Sequence, residues 1–476
     1  MQIPQEIINF MEEEGTSILL IKGRPGVGKT ILALSILVAL DEFKGIFFST
    51  RDVMKSILSQ IPWISELTSK CRFIDALTTD MHLLSRNYIQ EAAIELTTLP
   101  QFLKSLYLEI LDAKRTTENV VVIIDSIDAL SVALDLPKMS IIKQIKHLIL
   151  SNNVKAVITV ETDSVSELDY IADGVILLKK DYYGKDRVFR ILEFEKMRGL
   201  QIKNPKYAFT LEMGKFYCFQ EGYIDWRAYK NIAKHKVVED TIDSVANVQF
   251  LSSGSKHFDK IANGFKNGSC ILFSYSKDII SFVYGALTSM FAENFLCKDK
   301  HVFLMPKKSN KSKFTYDLFM RLVEEEKVKK YLHVFSLFDA PVNIAVGSKS
   351  LNTFEDFEIF VISLIEKHYL KSTDGVLVIL DADHIFSYFD ITPKAFVRFI
   401  TKLITTFRDT NSLLLIKTFH EDDLLKTLEG TADYSFCIFS FGDQYFLYGV
   451  KPCTPIYNIS LKFVEDHPST QFKLVV

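Results

Sequence analysis

The chain has 476 residues, 48% hydrophobic and 24% charged, and carries a formal net charge of −3 from 56 basic and 59 acidic side chains. That length exceeds one compact core and implies at least two domains, while the apolar content excludes a disordered or collagen-like chain, which buries too little surface to fold. The charge is evenly spread, so neither half has the basic surplus of a dedicated binder of DNA or of membrane surfaces.

The longest apolar stretch, Ile31 to Leu40, is about half the roughly 20 residues needed to cross a bilayer. The opening MQIPQEIINFMEEEG has neither a basic nor an apolar region of the signal-peptide kind, and a cytoplasmic location is expected. Cys71, Cys218, Cys270, Cys297, Cys437 and Cys453 are scattered without a CxxC pair, which predicts buried, reduced thiols.

In chain order, the short apolar runs Ser17–Lys22, Lys44–Ser49, Arg72–Ala76, Asn119–Asp125 and Lys155–Glu161 predict buried strands. Helical periodicity lies between them over Thr30–Leu40, Ser85–Ala113 and Lys138–Leu150. Such alternation predicts a mostly parallel sheet covered on both faces. The pattern then changes to short strands at Gly174–Lys179, Val188–Lys196, Tyr207–Leu211 and Lys215–Phe219, joined by turns such as Tyr183-Gly184-Lys185, which predicts an antiparallel extension.

The second half repeats this order. Gly15-Thr16-Ser17-Ile18-Leu19-Leu20 pairs with Gly268-Ser269-Cys270-Ile271-Leu272-Phe273, the strand ending at Asp125 with one ending at Asp381, and Ala172-Asp173 with Ala432-Asp433, at a nearly constant separation. Two copies of one domain follow: 1–220 and 251–476, joined by a polar linker, 221–250, without a strand pattern.

Gly23-Arg24-Pro25-Gly26-Val27-Gly28-Lys29-Thr30 fits G-x-x-x-x-G-K-[ST], with a strand before it and a helix after it. The glycines let backbone N–H groups turn inward around phosphate oxygens, and the start of the helix, through Ile31, adds its positive dipole end. Lys29 reaches the β- and γ-phosphates, while the Thr30 hydroxyl and Asp125 hold Mg2+. Asp125 ends its strand at the sheet edge where ligands of open α/β folds bind. ATP with Mg2+ is the expected ligand.

Four segments then occur in a telling order: Phe73-Ile74-Asp75-Ala76, Ile124-Asp125-Ser126-Ile127-Asp128-Ala129-Leu130, Ala172-Asp173-Gly174-Val175-Ile176 and Glu195-Lys196-Met197-Arg198-Gly199. This resembles the KaiC-like branch of the RecA superfamily, with Lys-Met-Arg-Gly its most specific mark. Phe48-Ser49-Thr50-Arg51 and Ile61-Pro62-Trp63-Ile64 look closer still to the archaeal gas-vesicle regulators of the GvpD type and their RecA-like relatives. The resemblance covers residues 3–220 well. It covers 250–476 by element order, although Ser253-Gly254 to Gly268-Ser269 is similar to the opening of a second KaiC-type domain. It implies an α/β fold of tandem RecA-like P-loop domains, each a mostly parallel sheet flanked by helices with an antiparallel C-terminal extension. It further implies a homo-oligomer with nucleotide at the subunit interface, Lys196 and Arg198 as cations reaching a neighbour's γ-phosphate, and an ATP-dependent regulator acting on a protein partner.

The chain departs from this family where adjacent glutamates usually follow the second strand to activate water. Here the slot reads Arg51-Asp52. Arginine stays protonated and cannot act as a base. Asp52 remains the candidate base, one methylene shorter in a setting intolerant of about 1 Å errors, so ATP binding is expected with slow hydrolysis. Glu161 is a second carboxylate near the same edge. The second copy lacks the phosphate chemistry: Ser274-Tyr275-Ser276-Lys277-Asp278-Ile279-Ile280-Ser281 has no glycine, and the Lys-x-Arg slot reads Lys451-Pro452-Cys453. That half reads as a degenerate pseudo-ATPase domain. The lysines of Lys307-Lys308-Ser309-Asn310-Lys311-Ser312-Lys313 read as a solvated loop, since no aromatic platform interleaves them. Two other readings are a RadA-like recombination ATPase on DNA and a scaffold that holds ATP without hydrolysing it. The first lacks a helix-hairpin-helix module and a Gly-rich loop pair between Glu161 and Ala172, so nucleic acid is not an expected partner, and neither is a membrane.

Overall fold

A computed structural model describes residues 2–50, 61–75, 101–184, 186–220, 222, 229–243, 248–307, 310–338, 352–369, 375–408, 410–419 and 423–476. The chain divides into two compact units, Met1–Gln220 with Val475–Val476, and Glu221–Leu474.

The first unit is built on nine strands: β1 (Ile18–Lys22), β2 (Lys44–Ser49), β3 (Cys71–Asp75), β4 (Val120–Asp125), β5 (Lys155–Val160), β6 (Gly174–Tyr183), β7 (Arg187–Met197), β8 (Lys206–Thr210) and β9 (Tyr217–Cys218). They lie in the order β3-β2-β4-β5-β1-β6-β7-β8-β9. β1 runs parallel to both neighbours, with Leu20 opposite Ile158 on one side and Val175 on the other. From β6 onward the pairing is antiparallel. Two cores explain why the central strands read as unbroken apolar runs. Leu19 and Ile21 join Val121 and Ile123 against the helices Gln5–Glu12 and Lys29–Ala39 on one face. Ile18 and Leu20 join Val122 and Ile124 against Gln101–Lys114, Ile127–Leu134 and Lys138–Ser151 on the other. With both faces buried, the period-two alternation has no polar side to show.

The second unit begins with a small antiparallel sheet, β10 (Thr241–Asp243), β11 (Val248–Leu251) and β12 (Phe265–Lys266). Nine more strands follow: β13 (Cys270–Tyr275), β14 (His301–Leu304), β15 (Leu332–Val334), β16 (Val376–Asp381), β17 (Leu413–Phe419), β18 (Tyr434–Phe441), β19 (Gln444–Lys451), β20 (Ile456–Val464) and β21 (His467–Val475). Their order, β15-β14-β16-β17-β13-β18-β19-β20-β21, repeats that of the first sheet position by position. Helices again cover both faces. The fold is α/β, with two large mostly parallel sheets flanked by helices and extended by antiparallel strands, consistent with tandem RecA-like architecture.

A paired hydrogen bond fixes how the halves correspond. The Asp173 carboxylate accepts from the N–H of Ile18 at 3.2 Å, and the Asp433 carboxylate accepts from the N–H of Cys270 at 2.9 Å. Ile18 therefore corresponds to Cys270, one residue earlier than the apolar runs suggest, because short apolar strands slide past one another in sequence without a clash.

Other differences have similarly local causes. Strand β10 and most of β11 fall within the stretch expected to be a linker, since β10 is exposed and the polar Thr, Asp and Gln of the pair break any apolar run. The helix Gln5–Glu12 escapes a search for strand–helix alternation but buries Ile7, Phe10 and Met11. The helix expected over Ser85–Ala113 is described from Gln101 onward; residues 76–100 lie outside the described residues. Cys453 is exposed and Cys297 partly so, while Cys71, Cys218, Cys270 and Cys437 are buried thiols as expected.

Phe258 sits at the centre of the aromatic packing in the second unit, with ring centroids 5.0 Å from Phe436, 5.1 Å from Phe472 and 5.5 Å from Phe265. It is fully buried. Replacing it with alanine removes contacts to all three and leaves a cavity, so Phe258→Ala is expected to destabilise the protein by about 3–5 kcal/mol in urea unfolding followed by circular dichroism.

Candidate nucleotide site

Lys22 ends β1 fully buried, and its ammonium pairs at 2.9 Å with both Asp169 and Glu195. A buried lysine is stable only when its charge is met in this way. The pairs fix the strand end from which the loop 23–28 springs. Gly23 (φ +148) must be glycine, because a Cβ would lie 2.5 Å from the Leu178 carbonyl oxygen. Gly26 (φ +77) has nothing within 4 Å of a Cβ position, so the loop is held on its strand side and open at its mouth. Arg24, Pro25 and Gly26 form the exposed rim, while Val27 is buried in the core. Gly28 caps the helix Lys29–Ala39, and Ile31 packs against the core beneath it.

The buried Lys29 ammonium donates to the carbonyls of Gly23 at 2.8 Å and Arg24 at 3.0 Å and lies 3.9 Å from Glu161. Thr30 donates at 2.6 Å to one carboxylate oxygen of Asp125, and Thr159 donates at 2.5 Å to the other. Buried Thr50 clamps the chain at that point, its hydroxyl accepting from the N–H of Ser126 and its own N–H donating to the carbonyl of Asp125. Asp128 accepts from Lys138 and, at 2.7 Å, from the N–H of Glu161, which sets Glu161 beside the loop. On the rim Arg24 donates to Asp163 at 2.6 Å, and that hydrogen bond holds the Asp163 carboxyl below its usual range. From β7, Arg190 reaches the carbonyls of Gly26 at 3.4 Å and Val27 at 3.3 Å.

The structure thus brings Gly23 to Ile31 and Asp125 together at one sheet edge, with Glu161 beside them. Lys22, Thr159 and Arg190 join the site although no motif announces them, and Thr50, which lies within Phe48-Ser49-Thr50-Arg51, joins it as a clamp on the backbone. Only strand register, with Thr159 opposite Ile21, exposes Thr159. Arg51 and Asp52 lie outside the described residues.

The loop fits a triphosphate with its cation. An open concavity of backbone N–H groups at a helix start accepts phosphate oxygens, and a carboxylate that accepts from the hydroxyls of Thr30 and Thr159 keeps an oxygen donor set suited to Mg2+.

Lys196 and Arg198 stand elsewhere. Lys196 is level with Val175, which is level with Leu20, so it sits three residues short of Gly23, roughly 10 Å along the strands. Lys196 donates to the carbonyls of Asp169 at 2.8 Å and Ala172 at 2.6 Å, and Arg198 donates to Asp173 at 3.0 Å. Burial and the Arg198 charge push the Lys196 ammonium below its usual range.

The second unit shows what happens to the same frame without a loop. Asp381 ends β16 as Asp125 ends β4, but the strand position filled by Thr159 is filled there by Lys417, 3.8 Å from the Asp381 carboxylate. Both groups are buried. Desolvation lowers the Lys417 ammonium against the pull of Asp381. The Tyr284 and Tyr275 rings pack tilted with centroids 4.5 Å apart, and Lys417 lies 4.9 Å over the Tyr284 ring. Asp278 is hydrogen-bonded by Ser440. Lys451 donates to the carbonyls of Glu429 at 2.6 Å and Ala432 at 3.3 Å, repeating the bonds of Lys196. The lysine run does not present one basic face: Lys307 lies over Tyr284 and Phe419, Lys313 pairs with Asp317 at 3.0 Å, and Lys308 lies outside the described residues.

Removing Lys417 leaves the buried Asp381 carboxylate with the N–H of His384 and without its ion-pair partner. Lys417→Ala is expected to cost about 3–5 kcal/mol, and the double variant Asp381→Asn with Lys417→Met to recover most of that loss, both measured by urea unfolding.

The family model "ATPase: KaiC" matches residues 13–219, the stretch that holds every element of the loop and its carboxylate. Along nearly its full length the chain is similar to two proteins of Halobacterium salinarum. It is 22% identical to GvpD1, with 98% of this chain and 95% of the relative covered, and 23% identical to GvpD2, with 96% and 93% covered. The first unit therefore carries a KaiC-type ATPase-family domain, within a chain that resembles the GvpD proteins from end to end.

Proposed function

We propose that this chain is an ATP-dependent regulatory switch in which residues 1–220 bind ATP–Mg2+ and hydrolyse it slowly, residues 221–250 connect, and residues 251–476 form a degenerate copy that binds no nucleotide. One observation carries this reading. The carboxylate ending the fourth strand accepts from two hydroxyls in the first unit, whereas in the second it accepts from the N–H of His384 at 2.9 Å and faces a buried lysine at 3.8 Å. The first arrangement leaves the charge of Asp125 available to a divalent cation, with Thr30 beside it. The second sets the buried Lys417 ammonium against Asp381, with Tyr284 stacked under that lysine.

Bound ATP–Mg2+ supplies a γ-phosphate whose presence or loss distinguishes two states. The chain's part is to hold that group: Lys29, which here donates to two loop carbonyls, would meet the β- and γ-phosphates, and Thr30 with Asp125 would hold the cation. The trans role falls to Arg198 rather than Lys196. The bonds of Lys196 recur at Lys451 in the copy without a loop, so they serve the fold there, whereas Arg198 has Cys453 in its place. Arg198 is half exposed beside Asp173 and lies too far from its own loop, which suits a cation offered to a second copy of the chain. Among the described residues no helix is long and apolar enough to cross a membrane, and a cytoplasmic oligomer acting on a regulatory protein partner fits the resemblance to GvpD.

Lys29→Ala is expected to abolish ATP binding by the whole chain in equilibrium dialysis while leaving the fold intact; one equivalent of ATP retained would refute confinement of the site to the first unit. Arg198→Ala is expected to weaken ATP-dependent assembly, read by mass in solution, with affinity of the isolated protomer for ATP nearly unchanged. Mixing it with Lys29→Ala is expected to restore part of the phosphate release. A protein that stays monomeric with ATP–Mg2+ would overturn the shared site, and binding without phosphate release would identify a scaffold rather than an ATPase.

A further inference from the structure

Far in sequence from the nucleotide site, three side chains of the second unit converge. His235 lies in the extended stretch before β10, Glu293 in the last turns of the helix Ser281–Cys297, and His467 at the start of β21. Each is nearly buried, with side-chain exposures of 7%, 7% and 12%. His235 Nδ1 is 3.5 Å and His467 Nε2 is 3.2 Å from the same Glu293 oxygen, and the two nitrogens are 3.4 Å apart.

These separations discriminate between two kinds of cluster. A charge-assisted hydrogen bond between imidazole and carboxylate closes to about 2.7–2.9 Å, and none of the three contacts does so. Ligands bonded to one tetrahedral metal at about 2.0–2.1 Å are instead separated by the tetrahedron edge, roughly 3.3–3.4 Å. All three pairs lie close to that edge. His467 is within hydrogen-bond reach of Glu293, and all three donor atoms at the same time face one point.

Their surroundings hold this arrangement in place. His467 Nδ1 lies 3.0 Å from the carbonyl of Ala233, to which it donates, and Nε2 is the ring nitrogen turned toward Glu293. That is the outer-shell bond which ordinarily orients a metal-bound histidine. The backbone repeats the tie, with Ala233 N–H donating to Asp466 at 3.0 Å and His235 N–H to Leu322 at 2.7 Å. All three residues line one cavity of about 260 Å3, together with Ser255, His257 and Gln471.

We propose that His235, Glu293 and His467 form a divalent transition-metal site, best matched to Zn2+, with its fourth position open to this cavity for water or an anionic ligand. Two imidazoles and one carboxylate suit Zn2+ better than Mg2+ or Ca2+, which take oxygen donors. Three protein ligands and an open position are the arrangement of reactive rather than purely structural zinc sites. The site also joins chain segments more than two hundred residues apart, so an ion there clips the start of the second unit to its last hairpin.

The test uses the full-length chain stripped of metal by chelation, with Zn2+ alone as the probe. One equivalent is expected to bind in isothermal titration calorimetry and to raise the unfolding midpoint. Lys29→Ala is expected to bind Zn2+ as the parent does, which separates this site from the nucleotide loop. His467→Gln and Glu293→Gln, which keep side-chain size, are each expected to weaken binding at least about 100-fold. Co2+ in place of Zn2+ is expected to give the intense visible bands of a four-coordinate ion in the parent and to lose them in both variants. Binding unaltered in folded Glu293→Gln and His467→Gln, no binding by the parent, or a six-coordinate Co2+ spectrum would each overturn the proposal.

Discussion

A carboxylate placed at the C-terminal end of a central parallel strand is surrounded by apolar strands on both sides and must find a partner for its charge. In this protein the same strand end occurs twice, as Asp125 and Asp381, and the neighbouring strand offers a different answer each time. Thr159 donates a hydroxyl; Lys417 donates a full charge. A hydroxyl satisfies hydrogen bonding but leaves the negative charge in place, beside the helix start at Lys29 and Thr30. A lysine sets an opposite charge against it. The two sheets share their strand order, and this strand position, together with the glycine-rich loop present only in the first, distinguishes the two strand ends.

The rest of the first unit serves that strand end. Lys22, locked between Asp169 and Glu195, ties β1 to β7 and to the segment before β6. Arg190 reaches the loop carbonyls from β7, and Thr50 pins the chain just past Asp125. These bonds cross strands and act on backbone, which is how a glycine-rich loop with little intrinsic stiffness keeps one shape. The second unit has no such loop to hold. Its aromatic residues fill the corresponding face, and Lys417 sits beneath Tyr284.

Comparison of the copies also separates structural from chemical residues within a motif. Lys196 and Lys451 make the same pair of bonds to carbonyls that end a short helix. A bond kept in the copy that lacks phosphate chemistry belongs to the fold. Arg198, paired with Asp173 and replaced by Cys453 in the other copy, lacks that structural counterpart. Asp173 and Asp433 likewise share a role, each accepting from the first residue of the central strand.

Sequence alone determined the alternating fold, the glycine-rich loop and the duplication, because each is written in contiguous residues: apolar runs, fixed glycine spacing, and landmarks repeated in order. It also located Asp125, since a strand pattern ending in aspartate is local information. Sequence did not disclose Thr159, Lys22 or Arg190, whose roles depend on which strands lie side by side, nor that Lys417 occupies the place of Thr159. The convergence of His235, Glu293 and His467 was equally invisible: no spacing rule joins residues so far apart, and only the packing of the helix Ser281–Cys297 against the last hairpin and the stretch before β10 brings their donor atoms within 3.5 Å of one another. Local pattern is fixed by the chain's own covalent order; the choice of partners across it is fixed by how the sheets close and pack.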